Sequence, residues 1–383
     1  MTFTRQSGAE QTEPRIMRVA FDQQVFMLQE YGGISRYVCN LATQLARISG
    51  VETAIIAPLH YNGHLGDLQG SLHQGLRVPR IPKTSRFICY LSRVLAQRAV
   101  RHFQPDIIHE TYYSPVDFWP KSSRRVITVY DMISEHFPSM FSSSYLTDAK
   151  KAAVSRADHV LCISESTRRD LIEIFNVHSD KVSVVYLGYD DLSGSVGSRQ
   201  DDISLINTNS YLLYVGSRGG YKNFNSLLRV FSNSIYLRDN FSIICFGGGS
   251  FTDEELSLIN GLNLTDKAKQ INGGDNILGK LYQNAAAFIY PSLYEGFGIP
   301  VLEAMSFGCP VICSNTSSIP EVVGDAGEYF DPVNQESMRS ALENVLESRA
   351  RRDELVSKGY VRCSMFSWSR CANETFAIYR NLI

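Results

Sequence analysis

A chain of 383 residues is long for one hydrophobic core and suits two domains. Hydrophobic residues make up 44% of it and charged residues 20%, which is the composition of an ordinary soluble globular protein. The net charge of −2 gives no general reason to expect nucleic acid as a partner, so any basic surface has to be local.

The cysteines and the ends of the chain indicate a cytoplasmic protein. Eight cysteines are scattered along the sequence, and only Cys309 and Cys313 lie close together, so no zinc site is expected. Residues 1–15 are polar, lack the apolar centre of a signal peptide and are predicted to be disordered. No apolar run reaches the roughly 18 residues that would suggest a membrane-spanning helix.

The first predicted units are a strand at 16–21, a glycine pair and a helix at 35–48. Gly32 and Gly33 lie just before that helix, whose free N–H groups can meet a diphosphate. A plain turn is the alternative for this glycine pair.

A basic amphipathic helix is predicted at 87–103, with further basic residues from 83 onwards. A packed helix with a solvated basic face is one explanation of the pattern. Docking on an acidic membrane surface through 83–103 is the other.

Polar residues follow two buried strands predicted at 105–110 and 124–131. Ligands of doubly wound sheets gather outside the carboxyl ends of strands, so these residues are candidates for a cleft. The acceptor-side candidates are His109, Tyr130 and His136, and Asp131 is a candidate catalytic group.

The second half restarts after a polar, glycine-containing linker at 190–209. A strand at 211–215 leads into a glycine-rich loop that begins at Gly216. Arg218 and Lys222 bracket this loop, an arrangement suited to gripping a diphosphate. The next strand, 241–246, ends in glycines that start at Gly247.

The stretch 290–310 combines a strand end, two glycines and a helix that starts near Pro300. Gly296 and Gly298 allow a tight loop and close approach of a ligand to the backbone. Glu295 is predicted in the loop and Glu303 in the first turn of the helix. Hydroxyl groups and a phosphate would both find partners there, as a nucleotide sugar requires. Surface glutamates on an ordinary strand–loop–helix unit are the alternative.

The run 288–332 resembles the signature of retaining glycosyltransferases of family four, in which seven residues separate two glutamates. The resemblance implies the GT-B fold, an α/β architecture of two doubly wound, Rossmann-like domains that face each other across a cleft. The implied organisation is a disordered start at 1–15, an acceptor-side domain at 16–189, a linker at 190–209, a donor domain at 210–365 and a closing helix at 366–383 that crosses back to the first domain.

The same resemblance implies roles for the site residues. Arg218 and Lys222 would stabilise the leaving diphosphate and, with Glu295 and Asp131, form the catalytic set. Tyr130 stands where relatives commonly carry a histidine. The implied donor-binding residues are Gly32, Gly33, Gly216, Gly247, Gly296, Phe297, Gly298, Ile299 and Glu303.

The sequence thus predicts a retaining, metal-independent glycosyltransferase of polysaccharide or lipopolysaccharide O-antigen biosynthesis. It would move a hexose from a nucleotide sugar to a glycan or lipid-linked acceptor without a cofactor. GDP-mannose is the favoured donor, because many bacterial relatives with the stretch 130–133 build mannose-containing polysaccharides. A cytoplasmic location at the inner membrane face is expected. A non-catalytic sugar-nucleotide-binding subunit is one alternative. A nucleotide-dependent oxidoreductase is the other, although the G-x-G-x-x-G fingerprint is missing.

Overall fold

The computed structural model describes residues 16–68, 72–141, 143–190 and 210–383. The predicted disordered start, 1–15, and all but the first residue of the predicted linker, 190–209, lie outside these ranges.

Two six-stranded sheets dominate the fold, with strand orders β2-β1-β5-β6-β7-β8 and β11-β10-β9-β12-β13-β14, and β3 pairs with β4. The strands are β1 (Met17–Phe21), β2 (Val51–Ile55), β3 (Leu59–His60), β4 (Leu76–Arg77), β5 (Ile107–Glu110), β6 (Arg124–Val129), β7 (His159–Cys162), β8 (Val182–Val184), β9 (Tyr211–Val215), β10 (Ser242–Phe246), β11 (Ala268–Ile271), β12 (Ala287–Tyr290), β13 (Val311–Ser314) and β14 (Gly327–Phe330).

The helices occupy the segments between strands. They are α1 (Gln24–Leu28), α2 (Gly33–Leu45), α3 (Ser85–Phe103), α4 (Ile133–His136), α5 (Tyr145–Arg156), α6 (Glu165–Phe175), α7 (Phe224–Asn233), α8 (Ile235–Asn240), α9 (Asp253–Gly261), α10 (Asp275–Asn284), α11 (Ile299–Ser306), α12 (Ile319–Val323), α13 (Gln335–Glu347), α14 (Arg349–Cys363) and α15 (Trp368–Arg380).

The strand pairings are parallel, as the alternation of strands and helices predicts. Phe288 faces Val311 and Ile289 faces Ile312 in the β12–β13 pair. Every residue of β5, β10, β12 and β13 is buried, because helices cover both faces of a parallel sheet. The predicted α/β class with two parallel sheets is therefore confirmed.

The run 271–277, with its two glycines, predicts a short strand and a turn, and this prediction is wrong. Strand β11 ends at Ile271, and helix α10 already begins at Asp275. The segment Ala268–Ile271 reads AKQI and lies at the edge of its sheet, where polar residues are tolerated and the apolar pattern of a buried strand is missing.

The chain divides into two compact units. The first unit contains the chain up to Thr128, together with Ala152–His159 and Ala372–Ile383. The second unit contains Val129–Lys151 and Val160–Cys371. The predicted domain boundaries stay a prediction. Within the described ranges, no helix has both the length and the apolar character needed to cross a bilayer.

Each unit has its own core. In the second unit, α7 buries Phe224, Leu227, Leu228 and Phe231, which are spaced to lie on one helix face. In the first unit, α3 buries only Ser92, Ala96 and Val100. Several apolar side chains of that helix, Phe87 and Tyr90 among them, are instead exposed.

His109 lies inside the first unit and is 1% exposed. Its Nδ1 atom pairs with the Tyr379 hydroxyl, and its Nε2 atom lies 2.8 Å from Thr128 Oγ1. Burial lowers the pKa of His109 to about 3. These bonds use both ring nitrogens to join strand β5 to β6 and to the segment Ala372–Ile383 of the same unit.

His60 is a second neutral histidine of the first unit, 3% exposed. Its ring lies 4.9 Å from that of His73, and its Nδ1 atom lies 3.1 Å from the Asn62 carbonyl oxygen. Burial, with a smaller contribution from His73, lowers the pKa of His60 from 6.5 to about 4.

Replacing His60 with glutamine should flatten the acid dependence of stability. The lowered pKa means that the stabilisation by neutral His60 is complete above pH 6.5 and is lost as the pH falls from 6.5 towards 4. Burial raises the pKa of Asp22 to about 6, so its contribution to stability changes with pH in the opposite direction. That contribution is the same in the wild type and in His60→Gln. Urea unfolding at about pH 7.5 and about pH 5 should show that the wild type loses about 2 kcal/mol more than His60→Gln.

His102→Gln, at an exposed position of the same unit, is the matched control and should keep the wild-type acid dependence. Equal losses in the wild type and His60→Gln would contradict the assignment.

Candidate active site

A buried ion pair joins two loops of the second unit. Lys222, in the loop after β9, donates from Nζ to Glu295 Oε1 at 2.7 Å, and Glu295 follows β12. The two side chains are 17% and 8% exposed. Glu295 also bonds with the phenol of Tyr290. The structure therefore brings together two residues that the sequence predicted for one site.

Asp131 contributes to the same electrostatic environment. Burial alone would lower the pKa of Lys222, but the negative charge of Glu295, with smaller contributions from Tyr221 and Asp131, raises it. Burial raises the pKa of Asp131, Lys150 opposes that change, and Glu295 adds to it. Lys222 thus keeps its positive charge beside two carboxyl groups.

Arg218 is directed into the protein rather than towards solvent and is 6% exposed. Its Nε atom donates to Glu255 at 3.0 Å, and Nη1 donates to the Gly247 carbonyl at 3.0 Å. Nη2 donates to the carbonyls of Gly249 and Ser250 at 3.0 and 2.9 Å. These bonds hold the loop after β10, and the predicted contact of Arg218 with a diphosphate stays a prediction.

The loop that Arg218 holds needs glycine. Gly247, Gly248 and Gly249 have φ angles of 77°, 71° and 75°, in the left-handed region that side chains other than glycine rarely adopt. This run of left-handed conformations turns the three carbonyls towards the guanidinium of Arg218.

Helix α11 begins at Ile299 after Gly298, whose φ of 112° makes the turn from the loop into the helix. Pro300 lies in the first turn, as predicted. Glu303 is the fifth residue of the helix and lies at the start of its second turn, not in the first turn as predicted. A Tyr282 hydroxyl donates to Glu303 Oε2 at 3.2 Å, and burial, then Glu303, raises the pKa of that phenol.

Gly296 lies against the segment that carries Asp131. A Cβ atom at this position would lie 1.9 Å from the Tyr130 carbonyl oxygen and 3.1 Å from Asp131 Cβ. Close packing, rather than an unusual backbone angle, therefore requires glycine here. Tyr130 itself is 6% exposed.

Two serines that the sequence interpretation missed hold the Glu295 loop. Glu295 donates its backbone N–H to Ser317 Oγ at 2.9 Å. Ser318 Oγ lies 2.8 Å from the Glu295 carbonyl and 3.0 Å from the Phe297 carbonyl. Both serines follow β13, within the run of family likeness, but nothing in their spacing marks this contact.

His136 belongs to a small polar cluster of the second unit. Its Nε2 atom lies 3.0 Å from Asp170 Oδ2, and the Tyr294 hydroxyl donates to the same oxygen at 2.6 Å. The rings of His136 and Tyr294 are 4.8 Å apart. Apart from the polarity of their side chains, nothing in the sequence indicates that Asp170 and Tyr294 contact each other.

Lys150 is a further residue that the sequence interpretation missed. It is 1% exposed, and its Nζ atom donates to the Asp131 carbonyl at 2.9 Å and to Glu135 Oε2 at 2.7 Å. It lies in α5, and nothing in the sequence around it indicates that its amine is buried.

The remaining predicted residues lie in two places. Gly32 and Gly33 begin α2 of the first unit, where the Ser35 N–H donates to the Gln29 side chain at 3.2 Å. Gly216, with a φ of 119°, follows β9 in the second unit. Among the described residues, no group of three or more His, Cys, Asp or Glu side chains is arranged to hold a metal ion.

Comparison with known proteins defines the class. The family described as glycosyl transferases group 1 matches residues 198–362, and the family described as glycosyltransferase family 4 matches residues 31–191. Two parallel sheets with these matches define a glycosyltransferase of the GT-B fold. The chain belongs to glycosyltransferase family 4.

The similar proteins include two O-antigen enzymes. O-antigen chain mannosyltransferase B of Escherichia coli is 29% identical over 91% of this chain and 96% of its own length. O-antigen chain mannosyltransferase RfbU of Salmonella typhimurium is 30% identical over 82% of this chain and 87% of its own length.

Solved structures share the fold. Sucrose-phosphate synthase from Thermosynechococcus elongatus superposes with a TM-score of 0.75 at 19% identity, covering 96% of this chain and 99% of that one. HepE from Anabaena, in complex with UDP and glucose, has a TM-score of 0.72 at 17% identity, covering 95% and 100%. The GT-B fold expected from the sequence is confirmed.

Replacing Gly296 with alanine should damage both stability and turnover. The added methyl group has to displace the Tyr130 carbonyl, and with it Asp131, from the Glu295 loop. Urea unfolding should show a loss of about 2 kcal/mol, as overpacking does. Glycosyl transfer should also fall.

Gly261→Ala is the control, because no atom lies within 4 Å of a Cβ atom at this helical position. It should leave stability unchanged or raise it slightly. A Gly296→Ala protein with wild-type stability would refute the packing argument.

Proposed function

We propose that this glycosyltransferase is a retaining mannosyltransferase that uses GDP-mannose and elongates a lipid-linked O-antigen chain at the inner face of the membrane. The names of the similar proteins support the sugar and the product, since O-antigen chain mannosyltransferases are among them. The observation that carries the proposal is the Lys222–Glu295 pair beside Asp131, in which Glu295 is the first glutamate of the family signature.

Lys222 is the proposed group that stabilises the departing diphosphate. Glycosyl transfer builds positive charge on the sugar ring and negative charge on the leaving group. The raised pKa of Lys222 keeps its amine positively charged, and Glu295 fixes the position of that amine. The N–H groups at the start of α11, after Gly298, add further positive potential.

Arg218 is proposed to act through the loop at 247–250. Its hydrogen bonds with four successive residues set the position of that loop, and a nucleotide could lie against the glycine backbone there. Glu303 is proposed to accept hydrogen bonds from the ribose hydroxyls. The Tyr282 hydroxyl, which donates to Glu303 Oε2, would fix the position of its carboxylate.

Retention is proposed to come from displacement on one face of the sugar. The Glu295 carboxylate is engaged by Lys222 and Tyr290, and Asp131 Oδ1 accepts the N–H of Ile133 at 3.0 Å. Neither carboxylate is arranged as a covalent nucleophile. The leaving phosphate would therefore accept the proton of the acceptor hydroxyl, and cationic side chains would make a divalent metal unnecessary.

A donor screen with a matched pair of variants tests this proposal. GDP should raise the thermal midpoint more than UDP or dTDP, because a ligand stabilises the state that it binds. Transfer from GDP-mannose should continue in EDTA with retained anomeric configuration. Lys222→Ala should lower kcat at least about 100-fold, as lost charge stabilisation does.

Lys269→Ala, at an exposed position of β11, is the control and should keep the wild-type rate. Far-UV circular dichroism and the thermal midpoint of Lys222→Ala without ligand report whether that variant is folded. A preference for UDP or dTDP would overturn the donor, and a normal rate for Lys222→Ala would overturn the mechanism.

Helix α3 is the proposed membrane contact. Phe87 and Tyr90 are 67% and 64% exposed, and Leu91, Val94 and Leu95 complete one apolar face of the helix at i, i+3, i+4, i+7 and i+8. The exposed basic residues are Lys83, Arg86, Arg98 and Arg101. An exposed apolar row between basic residues is complementary to the surface of an anionic bilayer.

Vesicle sedimentation tests this contact. The wild type should bind vesicles that contain phosphatidylglycerol better than pure phosphatidylcholine, and salt should weaken the binding. The Phe87→Ser/Leu91→Ser double variant should bind at least about tenfold more weakly, because two apolar side chains no longer enter the bilayer. Val333→Ser, at a 79% exposed position of the second unit, is the control. Equal binding by both variants would remove α3 from the proposal.

A further inference from the structure

A recess of about 500 Å³ in the second unit has the lining of a sugar site. Ser134, Ser143, Ser144 and Thr147 bring hydroxyl groups to it, and Phe141 and Ile174 bring apolar surface. The volume lies within the range of small-molecule sites. Hydroxyl groups suit the edges of a pyranose ring, and aromatic or aliphatic side chains suit its C–H face.

Glu135 also lines the recess and carries a hydrogen-bonding capacity that the protein does not use. Its side chain is 2% exposed, and Oε2 accepts a bond from Lys150 Nζ at 2.7 Å. Oε1 is buried and has no hydrogen-bond partner among the described residues. A buried carboxylate oxygen without a donor is costly, so a ligand hydroxyl at this position would stabilise it.

Lys150 links Glu135, which lines the recess, to Asp131 through hydrogen bonds of its amine. The same Nζ atom lies 2.7 Å from Glu135 Oε2, 2.9 Å from the Asp131 carbonyl and 4.0 Å from Asp131 Oδ1. Asp131 in turn influences the pKa of Lys222. The amine of Lys150 would thus lie between a sugar ring bound in the recess and Asp131, a member of the proposed catalytic set.

We propose that this recess binds a sugar ring of the acceptor glycan, with Glu135 accepting one of its hydroxyl groups. A neutral sugar fits better than a phosphate, because Glu135 is a carboxylate and Lys150 is the only lysine or arginine in contact with it among the described residues. The identification of the ring as the acceptor's rests on the proposed function. The site itself does not.

Saturation-transfer NMR with methyl glycosides of mannose, glucose, galactose and N-acetylglucosamine tests the recess. At least one glycoside should give a signal with the wild type. Thr147→Phe, which fills the recess, should reduce that signal about tenfold, whereas Thr147→Ala should keep most of it. Ser144→Phe is a second filling variant at the exposed rim, should Thr147→Phe fail to fold.

Thermal shifts with GDP, UDP and dTDP on the same proteins separate the two proposals. A variant that keeps its nucleotide shift but loses the glycoside signal supports the recess. A wild type with no glycoside signal, or a filling variant that keeps the full signal, overturns it. Glycoside binding in the recess without any nucleotide shift would keep the sugar site and reject the proposed transfer reaction.

Discussion

The Lys222–Glu295 ion pair is the interaction on which the rest of the site depends. It joins two loops whose residues are 73 positions apart, and both partners are largely removed from water. An ion pair in such a place holds only if both charges remain, since loss of one partner leaves the other uncompensated at a cost of about 3–5 kcal/mol. In the proposed reaction the pair would hold the amine in place before the donor binds, so little rearrangement would be needed as negative charge develops.

Lys222 and Arg218 show how two cations of one loop divide their tasks. The guanidinium of Arg218 has donors on three nitrogen atoms, and its planar geometry suits a set of backbone carbonyls. The single amine of Lys222 meets one carboxylate and remains partly exposed. A planar cation therefore shapes the surrounding loop, and a compact one holds the carboxylate of the neighbouring loop.

The sequence predicted those parts of the protein whose physical requirement is local. Gly298, with its left-handed backbone, and the proline at the start of α11 are each required by the local chain conformation, whatever their neighbours are. The family likeness added the pairing of the glutamate loop with a basic loop. Two parallel sheets followed from the order of strands and helices.

The parts that escaped prediction depend on contacts between distant segments. Lys150 lies in a helix with ordinary polar spacing, and only the structure shows that its amine is buried between Asp131 and Glu135. His109 had the polar strand-end position of a cleft residue, yet its ring bridges Thr128 and Tyr379, the latter 270 residues further along. Strand β11 was missed because an edge strand needs no apolar run. Sequence spacing carries no information about such tertiary partners.

The segment Ala372–Ile383 belongs to the first compact unit, although the ribosome makes it only after the whole of Val160–Cys371. At about 5–20 residues per second, the N-terminal strands wait on the order of ten seconds for the Tyr379 hydroxyl that pairs with His109. During that interval the nascent chain carries an unfinished β-sheet core. The first unit can therefore complete its fold only after the ribosome has made the second unit.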